Sequence, residues 1–130
     1  MGFVEEEGSC PRETFPFRVS MSAPEDRINV LKEGIRAEPE DPVGYYVLGL
    51  EYAKLQRHLD AIDAFEKALR ILPDYAAAYR ELGKSQRDAG RRRDAEETWG
   101  KGVVVAQQRG DAQTLKELLV LLKRLKEAKG

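Results

Sequence analysis

The stretch YYVLGLEYA begins at Tyr45 and YRELGKSQ begins at Tyr79, and each places an aromatic residue three positions ahead of a Leu-Gly pair. The second lies 34 residues after the first. A phrase that recurs at such an interval marks a unit that cannot bury its own apolar surface and must stack on a copy of itself. The correspondence extends well beyond the opening phrase. Tyr45, Leu48, Gly49, Tyr52, Ala61, Phe65, Ala68 and Pro73 reappear, shifted by 34, as Tyr79, Leu82, Gly83, Gln86, Ala95, Trp99, Gly102 and Gln107. Gln86 and Gln107 depart from the pattern, and Gly102 is a smaller stand-in for alanine. Before the first copy, Leu31, Gly34 and Pro39 match the second half of a unit, with Arg27 where alanine is expected.

The apolar spacing from Met21 onward is helical throughout, and no stretch alternates as a strand does. It predicts six helices. The first, Pro24 to Ala37, carries Ile28, Leu31 and Ile35 on one face and is stopped by EPEDP, where Asp41 is an N-cap and Pro42 the first helical residue. The second runs to about Leu55 and the third ends near Leu72. Pro73 breaks the chain and Asp74 is the expected cap of the fourth. Gly90 ends that helix, because glycine accepts the left-handed backbone that follows one. The fifth covers Arg92 to Gln108, and the last fills 111–128 after Gly110. Its final turns carry Lys123, Arg124, Lys126 and Lys129, which suit the negative end of a helix dipole. Leu115, Leu118, Leu119, Leu122 and Leu125 form its expected packing face. That register needs about two residues beyond the strict period, supplied by QQRGD. Leu121 falls off this face and is expected to be exposed, as are Val103 or Val104.

The spaced residues resemble the tetratricopeptide repeat, with Tyr where that family most often has Trp. The resemblance covers roughly residues 24–109. It implies an all-α fold, an α-solenoid of antiparallel helical hairpins with about 2.5 repeats and a C-terminal capping helix. The expected organisation is a half repeat over 24–41, repeats over 42–75 and 76–109, and a capping helix over 110–130, all in one domain spanning 21–130. Residues 1–20 read as a disordered or non-native extension, with Met21 as the native start. The residue types suit the architecture: small residues let helices approach, and aromatics fill the gaps between hairpins. Trp99 is core on this reading.

In such a stack the first helix of each pair lines the inner surface, and residues there outside the signature are available to bind. In the first hairpin these are Val43, Tyr46, Leu50, Ala53 and Lys54. Ala77, Arg80, Lys84 and Arg87 follow in the second, and Gln113, Lys116, Val120 and Lys123 continue the wall. The groove reads as apolar at one end and basic along the rest, which suits a protein or peptide partner with an apolar anchor and acidic groups. The bland reading, a solvated basic helix face, has even weight. Some members of the family clamp the C-terminal carboxylate of heat-shock chaperones with Lys and Asn. The matching positions here hold Tyr46, Leu50 and Glu81, so that activity is not carried over. The alternative function is self-association into a homo-oligomer through the groove or the capping helix. In a variant of either, the segment Phe15–Phe17 occupies the groove and blocks it.

Other functions find little support. Lys plus Arg (22) nearly balance Asp plus Glu (23), so no charge excess argues for nucleic acid. GRRRD (Gly90 to Asp94) lacks interleaved aromatics and reads as a solvated turn. His58 is the sole histidine, and no second ligand lies near it for a metal. Cys10 is the sole cysteine, which favours a reducing compartment, and the N-terminus lacks the apolar run of a signal peptide. A cytoplasmic protein without cofactor, membrane span or enzymatic activity is the expectation.

Overall fold

The computed structural model describes residues 23–129, and the expectations about residues 1–20, Met21 and the Phe15–Phe17 segment lie outside them. Six helices follow in order: α1 (Pro24–Ala37), α2 (Pro42–Lys54), α3 (His58–Ile71), α4 (Ala76–Asp88), α5 (Arg92–Arg109) and α6 (Ala112–Lys129). No strand occurs among the described residues. Sequential helices pack in antiparallel pairs. In addition the backbones of α2 and α4, and of α4 and α6, come close, while those of α1, α3 and α5 stay farther apart. The even-numbered helices therefore crowd together on the inner side of a solenoid.

Local chemistry sets the boundaries. The Asp41 carboxylate accepts from the Val43 N–H at 3.0 Å, and Pro42 opens α2. The turn inside each hairpin is the same motif written twice. Gln56 (φ 61°) and Gly90 (φ 86°) adopt the left-handed conformation. The following amides reach back into the helix, Arg57 N–H to the Tyr52 carbonyl at 3.0 Å and Arg91 N–H to that of Gln86 at 2.7 Å. Asp74 does not cap α4. Tyr75 occupies the cap position without a side-chain bond, and Asp74 pairs with Arg109 at 3.0 Å, tying the loop before α4 to the end of α5.

The core is serial, as a stack requires. Ile28, Leu48, Tyr52, Ala61, Ile62, Ala64, Phe65 and Leu82 form one buried cluster, and Ala76, Ala95, Trp99, Ala106, Leu118 and Leu125 form the next. Leu82 of α4 closes the first cluster and Leu118 of α6 closes the second, so each hairpin completes its neighbour's interior. The departures from the repeat pattern have local causes. The Thr98 hydroxyl donates to the Gln86 Oε1 at 2.6 Å, a buried polar pair where the first copy has Tyr52. A Cβ on Gly102 would lie 2.8 Å from that of Tyr79, so alanine does not fit.

The packing face of α6 differs from the expected one. Leu118 and Leu125 are buried, and Leu115, Leu121 and Leu122 pack half-buried beside them, whereas Leu119 is 51% exposed. Leu121 and Leu119 thus exchange their expected environments. Leu119 stands 36 residues after Gly83, the position that faces a hairpin's own second helix, and among the described residues no helix follows α6. Leu121 turns toward α4 instead. Val103 is half-buried against the second cluster, and Val104 is 51% exposed.

Candidate functional site

The inner wall is organised by one side chain. Arg80 on α4 bonds through Nε to Glu81 at 2.9 Å, through Nη1 to Glu117 of α6 at 2.6 Å and through Nη2 to the Tyr46 hydroxyl of α2 at 3.3 Å. A planar guanidinium spreads its donors over three nitrogens and here bridges all three inner helices at once. Burial works against the Arg80 charge, but the carboxylate of Glu81, with help from Tyr46 and Glu117, outweighs it and raises the pKa above its ordinary value. Glu117 is fixed in turn by Gln113, whose amide donates at 3.0 Å, and its pKa is lowered first by that bond and then by Arg80.

At the α2 end the wall is aromatic. The Tyr46 ring lies 5.0 Å from that of Tyr75 and 5.9 Å from that of Phe65. Burial, reinforced by Glu81, raises the Tyr46 pKa, so the phenol is neutral and donates or accepts as the network demands. Leu50 is half-buried against the first cluster. At the α6 end the wall opens into a cleft of about 440 Å³ lined by Arg80, Glu81, Lys84, Lys116, Glu117, Val120, Leu121 and Arg124. Val120 is 41% exposed there.

The expected groove residues fall into two sets. Arg80, Lys84 and Lys116 line this cleft, with Tyr46 bonded at its edge. Lys54, Arg87 and Lys123 are not among its lining residues. Lys54 pairs with Glu51 at 3.2 Å, and Arg87 pairs with Asp88 at 3.0 Å and stacks over Trp99. The wall is also less basic than the cations alone suggest. Glu81 holds both Arg80 and Lys84, the latter at 3.4 Å. Lys116 and Arg124 have no carboxylate partner among the described residues. Sequence reasoning missed Glu117, Leu121, Arg124 and Tyr75. Glu117 had a signal: it follows Glu81 by the same 36 residues that separate Leu82 from Leu118.

The remaining candidates are structural. Arg92 of the GRRRD turn donates to the Leu125 carbonyl at 2.8 Å, clamping α5 to the end of α6. His58 opens α3, with Nε2 3.1 Å from the Gln56 Oε1 and Nδ1 buried without a hydrogen-bond partner. Among the described residues no cluster of His, Cys, Asp and Glu could hold a metal, and no helix is long and apolar enough to cross a membrane.

Comparison with known proteins agrees with this geometry. The tetratricopeptide repeat family model matches residues 42–75. A TPR repeat-containing protein of Pseudomonas aeruginosa is 37% identical over 79 residues, covering 55% of this chain and 74% of that one. The solution structure of a Bordetella parapertussis protein is 32% identical, with a TM-score of 0.69 over 78% of this chain and 88% of its own. The TPR2B domain of yeast Sti1, solved as a pHsp70 complex, superposes with a TM-score of 0.78 over 82% of this chain and 86% of its own, at 22% identity. The repeat at 34 residues, the shared cores and these relatives agree, and the chain belongs to the tetratricopeptide repeat family.

Proposed function

We propose that the protein is an interaction module that holds a peptide or helical segment of a partner protein along its inner wall. The observation that carries this reading is the cleft between α4 and α6, where Val120 is exposed between Lys116 and Arg124. An apolar contact flanked by cations takes an aliphatic side chain with carboxylates beside it. The aromatic end at Tyr46 and Tyr75 adds a flat surface on which such a segment can continue. The yeast Sti1 domain, solved with pHsp70, has the same fold. Here Tyr46, Leu50 and Glu81 stand where the carboxylate-clamping members carry Lys and Asn, so the donors that hold a chain terminus are replaced and an internal acidic segment fits better than a carboxyl tail.

A library of random peptides displayed on phage and panned against the full chain tests the proposal. Enriched peptides should carry an aliphatic residue between acids. Lys84→Glu with Lys116→Glu should weaken them about tenfold or more and flatten their salt dependence. Equal affinity for the double variant, or enrichment without acids, would overturn the reading.

A further inference from the structure

A second surface of α6 faces away from the groove. Leu115, Leu119 and Leu122 recur at helical spacing on one side of the helix, from about 100° (Leu119) to about 160° (Leu122) around from Val120. Leu115 and Leu122 are half-buried against the core, and Leu119 stands out 51% exposed. In α2 and α4 the corresponding position is Gly49 or Gly83, against whose backbone the next helix lays Phe65 or Trp99. A leucine there keeps another helix from approaching as closely as a repeat helix does. A helix seated on the leucine side chain at the ordinary spacing of about 8–10 Å still fits.

The charges around this seam are mostly of one sign. Lys123 and Lys126 are exposed along it, with no carboxylate partner among the described residues, and Lys116, which lines the groove cleft, stands only at its edge. At Lys126 the surface continues into a cleft of about 280 Å³ that Arg92 and Arg93 share with Glu96. Gly100 lies one turn past Glu96 on α5, with nothing near the place of its missing Cβ. A glycine inside a helix costs about 1 kcal/mol relative to alanine, and close approach of another chain would explain it.

We propose that this end of the stack docks an acidic amphipathic helix of a partner protein, independently of the groove. A second copy of the chain would set the lysines of one α6 against those of the other. A lipid surface would find only Leu119 fully available, too little apolar area to insert. An acidic helix satisfies both the seam and its flanks.

The test uses the full chain and two labelled synthetic helical peptides of about eighteen residues, each with a leucine seam, one flanked by glutamates and the other by lysines. The acidic peptide should bind and its twin should not. Leu119→Glu, and separately Lys123→Glu with Lys126→Glu, should weaken binding about tenfold or more. Val120→Asp and Lys84→Glu in the groove should leave it within about twofold, which separates this surface from the one proposed above. Equal binding of both peptides, indifference to Leu119→Glu, a dimer in sedimentation that Leu119→Glu dissociates, or vesicles of phosphatidylserine binding the chain through Leu119 would each overturn the proposal.

Discussion

The Trp99 indole N–H donates to the Arg80 carbonyl at 3.0 Å while its ring lies on the bare backbone of Gly83, where a Cβ would come within 2.1 Å of Nε1. The fully buried core aromatic and the residue that spans the inner wall are therefore joined through one turn of α4. What fixes Trp99 also fixes the backbone from which Arg80 reaches Tyr46 and Glu117.

Gly83→Ala should accordingly be far more damaging than glycine-to-alanine in an ordinary helix, where the change stabilises. The methyl must displace a fully buried indole, and overpacking of this kind costs about 1–3 kcal/mol or more. Urea denaturation followed by Trp99 fluorescence should show a lower midpoint. Gly34→Ala, with nothing within 4 Å of the new methyl, is the control and should be neutral or stabilising.

Gln56→Gly should have the opposite sign. Gln56 sits at φ 61°, the left-handed position that its counterpart Gly90 fills without steric cost. A residue with a Cβ there costs about 1–2 kcal/mol, and the exposed contact with His58 is worth less than that. A rise in Tm of several degrees is expected, and the domain's size makes it measurable.

The contrast between these positions shows what was legible in the sequence. Period, helix boundaries and core aromatics could be read directly, because each copy repeats the same steric demand at Leu48 and Leu82, Gly49 and Gly83, Ala61 and Ala95. Gln56 could not be read as a left-handed turn, since only its partner Gly90 advertises one. Asp74 has the chemistry of a cap, but Arg109 lies 35 residues away in sequence and competes for its carboxylate at 3.0 Å. The exchange of Leu119 for Leu121 has a similar origin. Among the described residues α6 has no hairpin partner and its apolar face lies toward α4, and periodicity within α6 cannot say which neighbours a helix meets. At the groove the cations were visible and their internal partners were not. Pairing of Arg80 with Glu117 depends on how α6 docks.

The acid stability of the molecule should depend on Glu51. Its carboxylate, 9% exposed, binds Arg27 at 2.9 Å and Lys54 at 3.2 Å, joining α1 to α2. The Arg27 hydrogen bond leads in lowering its pKa below the ordinary 4.5. A folded pKa below the unfolded one means the contribution is complete above the unfolded value and disappears as pH falls through the folded one. Glu51→Gln should be less stable than the wild type at neutral pH by about 1–3 kcal/mol. The two stability curves should converge below pH 4.5. Parallel curves through that range would show that Glu51 is not the group responsible.

Arg80 offers the sharpest division between holding the wall and binding a partner. With a side chain only 20% exposed and three internal acceptors, it acts as a brace, and its charge is already satisfied before any ligand arrives. Arg80→Met removes the brace and leaves Glu81, itself 15% exposed, with Lys84 alone. Stranding a partly enclosed carboxylate costs about 1–3 kcal/mol, and an apolar replacement of both partners restores much of it. Arg80→Met should therefore lower Tm, and Arg80→Met combined with Glu81→Leu should recover most of the loss. Lys116→Glu, which leaves both the brace and the Lys84–Glu81 pair in place, should barely change Tm while weakening peptides that bind the cleft. If Arg80→Met instead left stability untouched and abolished binding, the guanidinium would be a ligand contact, and the inner wall would have to hold its shape by Leu82 and Leu118 alone.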